Sequence, residues 1–142
     1  MYSIKIINKS GFPDPCYETT GSVGMDVRAT AELVLGPGER GLVKTGLYLE
    51  IPNGHECQVR PRSGLALKRG LTVLNSPGTI DSDYRGEVGV ILINHSQEYQ
   101  TIERGDRVAQ LVFAKISRVC FEHVAEISTT KRGADGFGST GV

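Results

Sequence analysis

A turn at residues 60–65, Arg-Pro-Arg-Ser-Gly-Leu, combines residue types that suit a phosphate group. Arg62 offers a fork of N–H donors, Ser63 offers a hydroxyl, and Gly64 leaves the backbone open to close approach. Ser63 is also a favourable helix N-cap, and the free N–H groups at a helix start attract anions. The turn predicts either a phosphate site or an ordinary capped turn with solvated arginines.

A second polar stretch, Gly-Thr-Ile-Asp-Ser-Asp-Tyr-Arg-Gly at residues 78–86, precedes the most apolar run of the chain. A carboxylate such as that of Asp81 is ionised at neutral pH and can accept a proton. Tyr84, three residues further on, has a ring that can stack on a sugar or a base. A hydrophilic hairpin with a surface tyrosine explains the same residues equally well, so the stretch by itself leaves both interpretations open.

Two further stretches, residues 24–28 and 104–111, place carboxylates beside arginines, a pattern that is usually solvated or structural. Near the end of the chain, Gly136, Gly138 and Gly141 form G-x-G-x-x-G, but a dinucleotide fingerprint needs a strand before it and a helix after it. The three histidines lack the spacing of metal ligands. A dinucleotide site and a protein zinc site are therefore not expected.

Composition limits the class of protein. The chain has 142 residues, 39% hydrophobic and 23% charged, with a formal net charge of zero, which is typical of one globular domain and argues against a strongly basic nucleic-acid binder. No apolar run is long enough to span a membrane, and the first residues lack the apolar region of a signal peptide. Three scattered cysteines favour reduced thiols in an intracellular protein.

Short alternating or apolar runs separated by Gly, Pro, Asn and Asp predict an almost all-β chain. Residues 88–93 are apolar throughout, as in a strand buried on both faces, and the only predicted helix begins at Ser63 and ends near residue 68. The apolar pattern stops near residue 128, so the remaining residues are expected to form an arm. The predicted strands are 4–7, 25–29, 32–35, 40–45, 47–51, 56–60, 72–74, 87–94, 99–102, 108–116 and 118–124.

Taken in order, five stretches closely resemble the five motifs of the trimeric dUTPases, which are dUTP diphosphatases: residues 24–26, 61–65, 78–86, 104–111 and 132–141. The resemblance extends from about residue 20 to the end. It implies a β-clip, jelly-roll-like barrel with one short helix, a core domain at 1–128 and a flexible glycine-rich arm at 129–142. It also implies a homotrimer whose active sites lie between subunits.

The implied reaction converts dUTP and water to dUMP and pyrophosphate, with Mg²⁺ as cofactor, which limits uracil in DNA and supplies dUMP for thymidylate synthesis. Asp81 matches the base that orients the attacking water. Tyr84 matches the ring that packs on the deoxyribose, and Asn75 matches a uracil-binding position. The resemblance implies further substrate-binding positions in the third motif at Gly78, Thr79 and Ile80.

The phosphates would be held by Arg62, Ser63 and Gly64. Asp26, through water, and Gln110 would act near the metal and the phosphates. In the arm, the matching positions are Arg132, Ser139 and Thr140 for the phosphates, Phe137 for closure over uracil, and Gly138 for the substrate. Val27 replaces a usual leucine, and Asp135 stands where glycine is common, so a carboxylate near the triphosphate would weaken closure unless it points outward.

Two alternatives share the fold. A dCTP deaminase would need a catalytic glutamate in the third motif, where this chain has Asp81-Ser82-Asp83-Tyr84. A non-catalytic nucleotide-binding protein should have lost Asp81, Tyr84 or the arm. We expect the substrate to be dUTP, no direct binding to nucleic acid or membrane, and a cytoplasmic location, or a nuclear or organellar one in a eukaryote.

Overall fold

The computed structural model describes residues 1–141, and they form ten strands and one short helix. In chain order the elements are β1 Lys5–Asn8, β2 Met25–Arg28, β3 Leu33–Leu35, β4 Arg40–Glu50, β5 His55–Arg60, α1 Ser63–Arg69, β6 Leu71–Val73, β7 Gly78–Ile80, β8 Glu87–Asn94, β9 Gln100–Ile102 and β10 Arg107–Lys115. The predicted all-β class with one short helix is confirmed. No helix in this described part of the chain is long and apolar enough to cross a membrane.

Two four-stranded sheets face each other across one core. The first has the order β1-β4-β8-β6 and the second β2-β10-β5-β7, while β3 and β9 form a small separate pair. All the paired strands are antiparallel. Inward-pointing residues of both sheets make one hydrophobic cluster, which includes Val43, Val90 and Leu92 from the first sheet and Val27, Val59 and Leu111 from the second.

Strand β8 shows how the sandwich buries its residues. Val88, Val90 and Leu92 are buried, whereas Gly89, Ile91 and Ile93 on the other face are only half-buried. The expectation that this strand is buried on both faces is therefore met on one face only.

The two runs predicted at 40–45 and 47–51 form one strand, β4, and its pairing with β8 is irregular between Lys44 and Tyr48. Gly46 lies in this irregularity with a φ of 70°. A Cβ at Gly46 would lie 2.7 Å from the backbone nitrogen of Ser10, so only glycine fits there.

Strands β1 and β8 end in matching turns. Ser10 donates its backbone N–H and its hydroxyl to the Asn8 side-chain oxygen at 2.9 and 2.6 Å. Ser96 makes the same two bonds to Asn94 at 2.8 and 2.7 Å. Each asparagine also donates its amide to the carbonyl four residues ahead, so the chain leaves both strands along a defined path.

Two strand predictions differ from the structure. The short strand Gly78–Ile80 was not predicted, because a three-residue segment that begins with glycine has too little pattern to indicate a strand. The strand predicted at 118–124 is wrong for the single chain, since these residues lie outside every sheet and are exposed. A strand needs a neighbouring backbone to pair with, and within residues 1–141 this segment is paired in no sheet.

Candidate active site

The predicted phosphate turn connects β5 to α1. Arg62, not Ser63, is the N-cap of α1, with φ −97° and ψ 129° and no side-chain bond to the helix start, so the prediction of Ser63 as the N-cap is wrong. Ser63 is the first helical residue, and both Ser63 and Gly64 are exposed. The first turn carries no acidic residue, so its N–H groups face no carboxylate from the helix itself. This arrangement suits an anion.

Asp26 lies between two arginines beside this turn. Its carboxylate accepts a hydrogen bond from Arg62 Nε at 3.1 Å, and its other oxygen is 3.6 Å from an Arg107 guanidinium nitrogen. Arg62 also donates to the Arg107 backbone carbonyl at 3.2 Å. The Arg62 and Asp26 side chains are 26% and 22% exposed, so the pair is partly shielded from water. Asp26 therefore fixes the direction in which the Arg62 guanidinium points.

Strand register brings Gln110 to the same cluster. In the second sheet, Gln110 of β10 pairs with Asp26 of β2 on one side and with Arg60 of β5 on the other. Its side-chain amide donates to the Pro61 carbonyl at 3.1 Å. Gly24 makes room for it, since a Cβ there would lie 2.1 Å from Gln110 Oε1. Three of the five stretches thus meet at one place.

The Asn75–Ile80 segment forms the wall next to the phosphate turn. β7 pairs with β5 so that Gly78 lies opposite Val59 and Ile80 lies opposite Cys57. Gly78 and Ile80 are buried, whereas Asn75 and Thr79 are exposed. A Cβ on Gly78 would lie 3.3 Å from Asn75 Nδ2, so the asparagine packs closely over the glycine. An open depression of about 450 Å³ joins this segment to the turn and is lined by Gln58, Arg60, Pro61, Ser76, Pro77 and Gln110.

Asp81 and Tyr84 lie at the opposite end of β7. Because β5 and β7 are antiparallel, Gly78 is the residue nearest the phosphate turn, and Asp81 is about 10 Å further along the strand direction. Asp81 is exposed, and its carbonyl accepts the Tyr84 backbone N–H at 3.2 Å. Within residues 1–141, no hydrogen bond or ion pair joins Asp81 or Tyr84 to the Asp26 cluster.

The C-terminal segment after β10 carries the remaining predicted site residues. It folds into successive tight turns, in which Arg132 Nε donates to the Asp135 carbonyl at 2.8 Å and the Ser139 N–H donates to the Gly136 carbonyl at 3.1 Å. Phe137 has a φ of 51° and a fully exposed ring. Arg132, Gly138, Ser139 and Thr140 are also exposed, and no hydrogen bond or ion pair joins them to the Asp26 cluster. Val142 lies outside the described residues.

Arg107 and Gly86 had no predicted role, although both lie within the polar stretches 104–111 and 78–86. Arg107 contacts Asp26, and Gly86 lies under the Tyr84 ring. Strand alternation would place Arg107 and Gln110, three residues apart, on opposite faces, and the register shift between Arg107 and Ala109 brings them to the same one. Local sequence does not show which carboxylate or which ring such residues meet.

The donor chemistry fits a metal held through water. Asp26 and Gln110 bring oxygen atoms to one place, and Mg²⁺ prefers oxygen ligands while keeping several of its own waters. Residues 1–141 contain no group of three or more His, Cys, Asp or Glu side chains that could hold a metal ion by themselves. A metal at this place would therefore depend on substrate oxygens and water for most of its ligands.

An all-β sandwich with an arginine-rich turn that suits an anion and a separate carboxylate-tyrosine loop has the arrangement expected of a nucleotide-binding hydrolase. The dUTPase family model matches residues 10–141, so the chain belongs to the dUTPase family. The deoxyuridine 5'-triphosphate nucleotidohydrolase of an Anaeromyxobacter species is 59% identical over 89% of this chain and 86% of its own length. That of Brucella melitensis is 58% identical over 97% and 90%. The dUTPase of Staphylococcus bacteriophage 80alpha, solved with dUPNHPP, superposes with a TM-score of 0.91 at 26% identity, with full coverage of both chains.

Proposed function

We propose that this protein is a dUTP diphosphatase that hydrolyses dUTP to dUMP and pyrophosphate. The observation that carries the proposal is the convergence of Asp26, Arg62 and Gln110 beside an uncapped helix start, with an exposed carboxylate and tyrosine on a neighbouring loop. Family membership supports the same reaction. Because the curated relatives are bacterial, we also propose a cytoplasmic location.

In this proposal, the chain's own residues bind the triphosphate and aim the water. Arg62, Ser63 and the Gly64 backbone hold phosphate oxygens, and Asp26 keeps the Arg62 guanidinium oriented. Asp81 accepts a hydrogen bond from a water whose oxygen attacks the α-phosphorus. The bond from that phosphorus to the bridging oxygen breaks, pyrophosphate leaves, and the water's proton passes to Asp81. Alignment contributes more than basicity here, because a carboxylate is a weak base at neutral pH.

Mg²⁺ would lie on the triphosphate, with Asp26 and Gln110 hydrogen-bonding its waters. When bound, the ion would neutralise negative charge on the phosphate oxygens and so favour the transition state. The Asp26 carboxylate is already engaged by two arginines, which supports contact through water and not direct ligation.

The nucleoside would bind along residues 75–84. Asn75, Gly78, Thr79 and Ile80 would supply fixed hydrogen-bonding groups and a close wall for uracil, and Tyr84 would pack on the deoxyribose. dCTP would be rejected because the donors and acceptors of cytosine would not match the fixed hydrogen-bonding groups that suit uracil. Buried polar groups would then stay unpaired, which costs binding free energy. Rejection of the 5-methyl group of dTTP needs a rigid wall, since one methyl in a yielding apolar pocket changes binding by only about 1–3 kcal/mol.

We propose a homotrimer with each active site shared between chains. The separation of Asp81 from the Asp26 cluster in one chain supports this arrangement, because a second chain could bring its own loop to the cluster. The segment after β10 supports it too, since its apolar side chains have no partner within the described residues: Val119 is 80% exposed, Phe121 91% and Ile127 85%. A mass of three 15.3 kDa chains by light scattering is the expected result, and a monomer would contradict it.

The arm, residues 129–142, would close over the site of an assembled trimer. Phe137 would cover uracil, and Arg132, Ser139 and Thr140 would bind phosphates, with Gly138 allowing close backbone approach. The absence of a hydrogen bond or ion pair between its described residues and the Asp26 cluster supports an arm that closes when substrate is bound, at an ordering cost of about 1–2 kcal/mol per residue. Truncation before Arg132 should leave folding and assembly intact and abolish most turnover. Full activity without the arm would remove it from the mechanism.

One assay distinguishes the proposed function from its alternatives. The purified chain is incubated with dUTP or dCTP in the presence of Mg²⁺, and pyrophosphate and ammonia are measured. Pyrophosphate from dUTP alone is the expected result. Ammonia from dCTP would indicate a deaminase, and binding without either product would indicate a non-catalytic nucleotide-binding protein.

A further inference from the structure

The Tyr84 ring is folded back over Gly86 with no room between them. A Cβ built on Gly86 would lie 2.3 Å from the Tyr84 hydroxyl oxygen and 2.5 Å from the ring carbon that carries it. Real Cβ atoms do not approach other heavy atoms so closely. The absence of a side chain at Gly86 therefore determines where the Tyr84 ring can rest.

Hydrogen bonds hold the rest of this loop in place. The Tyr84 hydroxyl donates to the Glu87 carbonyl at 3.0 Å, and the Tyr84 N–H donates to the Asp81 carbonyl at 3.2 Å. Arg85 donates to the Ser82 carbonyl at 2.7 Å and to the Tyr84 carbonyl at 3.1 Å. Tyr84 is thus anchored by its hydroxyl and by its backbone, and the hydroxyl end of its ring lies against Gly86.

We propose that Gly86 is a positioning residue that sets the sugar specificity of the enzyme, by seating the Tyr84 ring where it leaves space for a deoxyribose but not for a ribose 2′-hydroxyl. The inference rests on the proposed function, in which Tyr84 packs on the sugar. It adds that the selectivity depends on a residue that never touches the nucleotide.

The geometry separates this role from a role in folding. The three atoms nearest to a Cβ at Gly86 all belong to the Tyr84 side chain, and they lie at its far end, which can rotate away. The φ of Gly86 is outside the left-handed region, so alanine can adopt the same backbone conformation. Gly86→Ala should therefore keep the fold and displace the ring, with loss of the hydroxyl bond to Glu87.

The experiment compares kcat/KM for dUTP and UTP in the wild-type protein, Gly86→Ala and Gly21→Ala. Gly21→Ala is the matched control, because its Cβ would meet nothing within 4 Å and its φ is also outside the left-handed region. Tyr84→Phe is a second variant, which removes the hydroxyl bond but leaves the ring and Gly86 in contact. Circular dichroism and light scattering verify that each variant folds and assembles like the wild-type protein.

The preference for dUTP over UTP should fall at least about tenfold in Gly86→Ala, less in Tyr84→Phe, and not at all in Gly21→Ala. A preference within about twofold of the wild-type value in Gly86→Ala, whatever the loss in overall rate, would overturn the proposal, as would a wild-type enzyme that hydrolyses UTP and dUTP equally well.

A binding measurement keeps the inference distinct from the proposed catalysis. If turnover of Gly86→Ala is too slow to measure, the affinities for dUMP and UMP are compared by calorimetry. The ratio of the two affinities should then fall at least about tenfold relative to the wild-type protein, and a ratio within about twofold of the wild-type value would overturn the proposal. Failure of the wild-type protein to release pyrophosphate from dUTP would refute the proposed function. The ratio of the dUMP and UMP affinities would still test whether Gly86 positions the Tyr84 ring for sugar selectivity.

Discussion

Replacing Asp26 by asparagine removes one negative charge from between two arginines and leaves the size of the side chain almost unchanged. The Arg62–Asp26 contact at 3.1 Å is a charge-assisted hydrogen bond between side chains that are about three-quarters shielded. Such bonds contribute about 1.5–3 kcal/mol and neutral ones about 0.5–1.5, so the change should cost about 1 kcal/mol at this contact.

The second contact of Asp26 adds little. Arg107 is 3.6 Å from the carboxylate and 44% exposed, so solvent screening limits its contribution to about 0.5 kcal/mol. Together the two losses amount to about 1–1.5 kcal/mol. If Arg62 must point at the phosphates in the transition state, kcat/KM for dUTP should fall roughly tenfold, because about 1.4 kcal/mol is a factor of ten.

The assay is steady-state pyrophosphate release from dUTP, together with urea unfolding, for the wild-type protein and for Asp26→Asn. Glu50→Gln is the matched control, because Glu50 makes a 3.0 Å ion pair with Lys5 but both side chains are largely exposed. This control should change the free energy of unfolding by less than about 0.5 kcal/mol and leave the kinetics unchanged. A kcat/KM for Asp26→Asn within twofold of the wild-type value would refute the reasoning.

A titration with Mg²⁺ adds a second readout for Asp26→Asn. If the carboxylate also holds metal-bound waters, the Mg²⁺ concentration for half-maximal rate should rise in the variant. If Asp26 acts only by orienting Arg62, that concentration should stay the same while kcat/KM for dUTP falls.

Three further predictions follow from single residues. Asp81→Asn should keep the fold and nucleotide binding but lose most turnover, since an amide is a poor proton acceptor; near-normal turnover would remove Asp81 from its proposed role. Gly46→Ala should lower the free energy of unfolding in urea by several kcal/mol, because alanine at this position would have to adopt a left-handed φ and occupy space that the Ser10 backbone fills. A decrease in the free energy of unfolding of less than about 1 kcal/mol would contradict this prediction. Burial raises the pKa of the Cys57 thiol from 9.0 to about 12, so a thiol reagent at pH 8 should label the exposed Cys16 and Cys120 but not Cys57. The free energy of unfolding should fall as pH rises above 9, because the thiol ionises in the unfolded state before it ionises in the folded state. Rapid labelling of all three cysteines would contradict this prediction.

Strand positions were predicted well wherever the information is local. The strand at Glu87–Asn94 was predicted with its observed bounds, and the helix that begins at Ser63 was placed to within a residue or so at its end. Alternation of apolar residues and the turn residues between runs depend only on neighbours in the chain, so the sequence contains them. The segment at 118–124 also contains a short apolar run, yet it forms no strand among residues 1–141, because pairing requires a partner strand that such a run does not supply.

For the site, the sequence by itself determined the residue types: an arginine-serine-glycine turn, a carboxylate and tyrosine on one loop, and a glycine-rich end. Only the tertiary structure decided which other side chains these residues contact. Arg62 and Asp26 are 36 positions apart, and they touch because β2, β10 and β5 are neighbours in one sheet. Contacts of this kind depend on how strands are ordered in the sheets, and local patterns in the chain do not encode that order.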